Sequence, residues 1–173
     1  MLIHQERSFA VIFRFSECVF DVDVERTRAY YTQDDYRLCG CQNCRNYDQA
    51  ILTVPDAVLD FLRSLGIDPR KPTEVYSVNE ELEEDGTLRY NGWYHVCGTP
   101  VEWTETTSET VAENGVRILQ HRMDLAYSPA PDYPFSILPV KNTVMLPKGF
   151  PTPALQLEID VRLPWVLPDP YRL

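Results

Sequence analysis

The stretch 155–163 narrows most what this chain can become: Leu155, Leu157, Ile159, Val161 and Leu163 alternate strictly with Gln156, Glu158, Asp160 and Arg162. Successive side chains of a β-strand point to opposite faces, so this period of two marks a strand buried on one face and wet on the other. Such a strand needs partners, and two hairpin signals supply them. Asp85-Gly86 joins 74–83 to 87–96, and Asn114-Gly115 joins 107–113 to 116–125. Both dipeptides suit the positive φ angles of tight hairpin turns. Hairpins pair antiparallel, so the sheet is expected to be mainly antiparallel.

Two more strands are expected near the start. Residues 9–15 are β-branched and aromatic apart from Ala10 and the charged Arg14, and Phe20, Val22 and Val24 alternate with Asp21, Asp23 and Glu25. Residues 27–47 lose all periodicity and read as a long loop that carries Cys39, Cys41 and Cys44 among Tyr30, Tyr31, Tyr36 and Tyr47. One firm helix is expected over 54–65, where Val54, Ala57, Val58, Phe61, Leu62 and Leu65 form an apolar stripe. Thr53 and Asp56 approximate a capping box, Pro55 suits the first turn, and Gly66 with Ile67 suits the end.

Ten of the 14 prolines fall between 129 and 170. Proline fixes φ and removes an amide donor, so most of 129–153 is expected to be irregular. The ending 163–168 is too apolar for a free tail and should dock on the body or on a partner. The sum is an α+β fold in one domain, 1–173, with sheet-on-sheet packing as a variant.

Composition bounds the function. The net charge of −10 disfavours nucleic acid and anionic membrane, since phosphate neutralisation needs clustered Lys and Arg. The cations are almost all arginine, with lysine only at Lys71, Lys141 and Lys148, which reads as internal ion pairing. Glu6, Arg7 and Arg14 break up the first apolar stretch, so it does not read as a signal peptide, and no window has membrane-spanning length. A cytoplasmic location is expected, with all five cysteines reduced.

The chemistry concentrates in Cys39-Gly40-Cys41-Gln42-Asn43-Cys44. Three soft ligands in six residues suit zinc, and Cys41 and Cys44 have the two-residue spacing of a zinc knuckle. A structural site needs a fourth ligand. Among His4, Cys18, His95, Cys97 and His121, His95 leads because it shares a strand face with Cys97, the alternative fourth ligand. Arg37 and Arg45 flank the cluster and would offset its negative charge. The other readings are unligated thiols, an iron–sulfur cluster whose spacing does not match, and a dithiol redox pair at Cys41 and Cys44.

Elsewhere the bland readings prevail. The acidic run at 80–85 reads as a solvated hairpin tip, and Glu102, Glu105 and Glu109 as a solvated strand face. The motif-like stretch 91–95 attaches to nothing firm, Cys97 beside His95 or His121 is weak as a nucleophile and base, and no phosphate loop, dinucleotide fingerprint or nucleophile elbow is present. The expected function is therefore a non-enzymatic binding protein with a zinc-stabilised loop and an acidic surface for a basic protein partner. The alternative is a metal- or thiol-dependent enzyme using the same cysteines.

Overall fold

A computed structural model describes residues 10–33, 39–141 and 143–171. The chain begins with the hairpin of β1 (Ala10–Phe15) and β2 (Cys18–Asp23). Ser16 and Glu17 make its turn at φ 52° and 57°, the pair of left-handed positions that a two-residue hairpin requires. The next segment corrects the expected long loop. Helix α1 (Val24–Tyr31) opens at Asp23, whose carboxylate accepts the Arg26 amide at 3.0 Å, so the second strand stops before Val24. Helix α2 (Gln42–Ala50) then carries Cys44, Asn46, Tyr47 and Ala50 into the core, and a 3-10 turn at Ile51–Thr53 leads to α3 (Asp56–Ser64). Tyr36 lies outside the described residues.

The expected helix is α3, but its start differs. Thr53 Oγ1 donates to Ala50 O at 2.7 Å, closing the preceding turn, and Pro55 occupies the cap position with no side-chain bond. Its end is as expected: Gly66 N–H donates to Arg63 O at 2.9 Å and Ile67 N–H to Leu62 O at 3.1 Å, with Gly66 at φ 83°.

The main sheet adds β3 (Glu74–Ser77), β4 (Thr87–Glu102), β7 (Phe135–Val140) and β8 (Ala154–Pro164). Its order is β1-β2-β4-β8-β7, with β3 also on β4, and all these pairings are antiparallel. The alternating stretch is β8, an interior strand paired with β4 from Thr87↔Pro164 to Cys97↔Ala154. Strand β7 is the one regular element in the segment 129–153, most of which is irregular among the described residues, as expected. It ends the strand order, and an edge strand tolerates the missing amide of Pro139. The Asn114-Gly115 hairpin forms a separate two-stranded ribbon, β5 (Thr107–Val111) with β6 (Arg117–His121).

Buried side chains from Phe15 to Leu163 form one cluster that joins sheet and helices. The ending docks as expected: Val166 N–H donates to Asn46 Oδ1 of α2 at 2.8 Å, and Leu167 is buried. Among the described residues, no helix is long and apolar enough to cross a membrane.

Candidate metal centre

The three thiols meet at the first turn of α2. Gly40, at φ 77°, turns the chain so that Cys39 folds back over the helix start. Cys41 is the N-cap, and its Sγ accepts the Cys44 amide at 3.4 Å. Cys39 Sγ lies 3.2 Å from Cys44 Sγ, and all three sulfurs fall within 4.8 Å of one another. Cys39 and Cys41 are exposed, whereas Cys44 is buried with its sulfur 4.0 Å from Val75 O.

Helix α2 is held where this cluster needs it. Asn43 Nδ2 donates to Ser77 Oγ at 2.7 Å, and Tyr90 Oη donates to Asn43 O at 3.3 Å. Asn46 is fully buried and donates to Tyr90 Oη and to Pro164 O, both at 3.1 Å. Tyr47 meets Tyr94. These contacts bind the helix to β3, β4 and β8.

The environment splits the thiols electrically. The Cys41 amide, then the Cys41 and Cys44 side chains, hold Cys39 below the ordinary thiol range. Burial, then hydrogen bonding from Cys39 and Cys41, pushes Cys44 well above it. The exposed Cys39 is thus the more acidic of the pair and the buried Cys44 the less acidic.

Zinc–thiolate bonds of about 2.3 Å directed tetrahedrally separate the sulfurs by about 3.8 Å. Cys39 and Cys44 stand at 3.2 Å and no pair of the three sulfurs is more than 4.8 Å apart, so the cluster could hold a metal ion. A metal could also bind here as a soft cation of another kind.

Neither expected fourth ligand joins the group of ligand atoms around these sulfurs. Strand alternation is the reason: Tyr90 and Tyr94 of β4 point toward α2, which turns the odd-numbered His95 and Cys97 to the opposite face. His95 is fully buried there, with Nδ1 2.8 Å from Thr73 Oγ1 and its ring 5.7 Å from that of Phe150. Burial pulls its pKa down to about 4, against the opposing influence of Gln156 and the Val144 backbone. Cys97 is buried, and burial raises its thiol. Cys18 packs against Thr104, and His121 stands beside Glu158 at 3.4 Å. His4 and Arg37 lie outside the described residues, and Arg45 is exposed on α2.

Sequence reading passed over the supports of the centre. Asn46 and Asn43 are polar residues in what looked like a loop, and only their partners reveal them as anchors. Glu102 and Glu109 are exposed and pair with Arg14 and Arg117, as a solvated face would.

No family model matches the chain, and no curated protein or solved structure matches it either.

Proposed function

We propose that this protein is a non-enzymatic, zinc-binding interaction protein, its zinc held by Cys39, Cys41 and Cys44 at the start of α2. The observation that supports it is the convergence of the three sulfurs on a helix end anchored by buried hydrogen bonds. Zinc would neutralise the thiolates and pin the segment before α2 to the sheet. The fourth corner falls to a donor other than His95 or Cys97, such as water or a group from a partner.

The partner in this reading is a basic protein, and the place is the cytoplasm. The net charge of −10 favours a cationic partner, and free cysteines suit a reducing compartment. Exposed Glu80 and Glu81 border an open groove formed with Leu82, Trp165 and Tyr171, which suits a basic segment with apolar side chains.

Metal analysis of protein purified without added metal tests the zinc. The reading requires about one equivalent of zinc, lost in Cys41→Ser, and less than about half an equivalent removes it. A pull-down at low and high salt tests the partner: salt-sensitive capture of a basic protein supports it, and no capture at either salt removes it.

One observation favours a second reading, a thiol-dependent enzyme: the exposed Cys39 is held below the ordinary thiol range. Alkylation rates against pH decide, because a thiol titrating at about 8.5 is not activated.

A further inference from the structure

The opposite face of β4 and β8, away from the thiols, holds a cleft that owes nothing to the cysteine site. Alternation sends Arg89 and Asn91 of β4 and Glu158 and Asp160 of β8 to this face. Tyr76 of β3 stands at one side, and His121 of β6 reaches over from the ribbon, enclosing about 480 Å³. That volume lies within the roughly 300–1,000 Å³ of small-molecule sites.

The charged groups inside already have partners. Arg89 Nε lies 3.0 Å from each carboxylate oxygen of Asp160, and its Nη2 also reaches Oδ2. Glu158 accepts from Gln156 Nε2 at 2.8 Å, and its other oxygen lies 3.4 Å from His121 Nδ1. A cation entering here meets Arg89, and an anion meets two carboxylates. Either charge would be desolvated against a like charge.

What the cleft offers instead is a set of neutral groups that both donate and accept. The side chains of Tyr76, Gln120 and Ser136 line it and make no hydrogen bond among the described residues. A phenol, a carboxamide and a hydroxyl each supply both functions, and a carboxylate oxygen that already accepts one bond keeps capacity for another. Burial first, then Glu158 and Asp160, raise the Tyr76 phenol, which stays protonated and able to donate. A neutral hydroxyl answers donor and acceptor together, and a ring that carries several hydroxyls meets several of these groups at once. The Tyr76 ring and Leu138 add apolar surface for a C–H face.

We infer that this cleft binds a neutral, hydroxyl-rich small molecule of monosaccharide or cyclic-polyol class, through Tyr76, Asn91, Gln120, Glu158 and Asp160. The test is amide NMR of the full chain titrated with glucose, galactose, mannose, xylose and myo-inositol, each to about 100 mM, well above millimolar affinity. Butylammonium and acetate serve as charged probes. At least one neutral polyol is expected to give saturable shifts at Asn91, His121 and Glu158. Glu158→Gln, which keeps the side-chain shape, should weaken binding about tenfold, as should the exposed Tyr76→Ala. No saturable shift from any polyol, shifts from a charged probe alone, or polyol shifts unchanged in both variants would each overturn the inference.

Discussion

Tyr47 Oη and Tyr94 Oη lie 2.7 Å apart in a fully buried contact that joins α2 to β4. Tyr94 Oη is also 2.6 Å from Pro69 O, and a carbonyl only accepts, so Tyr94 donates there and receives the Tyr47 proton. The relay makes the two hydroxyls unequal. Tyr94→Phe strands a buried donor and a buried carbonyl and should cost about 2–3 kcal/mol, whereas Tyr47→Phe strands neither and should cost about 1 kcal/mol. Urea unfolding of both variants and of the double variant checks this, and the double should fall short of the sum.

His95 gives the fold a pH dependence of defined sign. The imidazole ordinarily titrates near 6.5, but burial lowers the folded value to about 4. Below 6.5 the unfolded chain takes up a proton that the folded chain refuses. The contribution is therefore fully present above 6.5 and is lost as pH falls toward 4. A depression of this size corresponds to about 3 kcal/mol at most. His95→Gln should flatten the stability profile between those pH values, and a profile as steep as that of the parent would refute the assignment.

How much of this was legible follows from side-chain chemistry. Strand β8 and helix α3 announced themselves because their buried positions, Gln156 of β8 apart, are aliphatic or aromatic at periods of 2 and about 3.6. Helix α1 did not, since Val24, Thr27 and Tyr31 are its buried residues and Thr27 is polar. Helix α2 buries Asn46 beside Cys44, Tyr47 and Ala50, and that asparagine is affordable only through the partners it finds on other strands. The Ser16-Glu17 turn lacks glycine, so its left-handed residues carry no sequence mark. The cysteines were legible as a cluster, but the fourth ligand was sought on β4, where strand parity turns His95 away.

Two glycines should respond to alanine in opposite degree. A Cβ at Gly92 would stand 2.3 Å from Glu74 O and 3.0 Å from Val75 Cα, both backbone of β3, so the pairing must spread. Gly92→Ala should cost about 3 kcal/mol or more. Gly115 faces open space at φ 79°, so Gly115→Ala should cost about 1 kcal/mol from the backbone alone. Thermal unfolding ranks them, and equal losses would contradict this account of β3 on β4.

Cys39 and Cys44 separate metal binding from packing. Cys44→Ser puts a hydroxyl into the core with Val75 O at 4.0 Å from the sulfur it replaces, beyond a hydroxyl's hydrogen-bond reach, and leaves it only the weak sulfur partner Cys39 at 3.2 Å. That should cost about 1–3 kcal/mol even without metal. Cys39 is exposed, so Cys39→Ser should change the metal-free stability by less than about 0.5 kcal/mol. In the proposed zinc site each serine also removes a ligand. A chelator should therefore lower the melting temperature of the parent and leave both variants unmoved. The chelated parent should then melt with Cys39→Ser and above Cys44→Ser. A parent indifferent to the chelator would show that the three sulfurs stabilise nothing through metal, while the Cys44 difference would persist as packing alone.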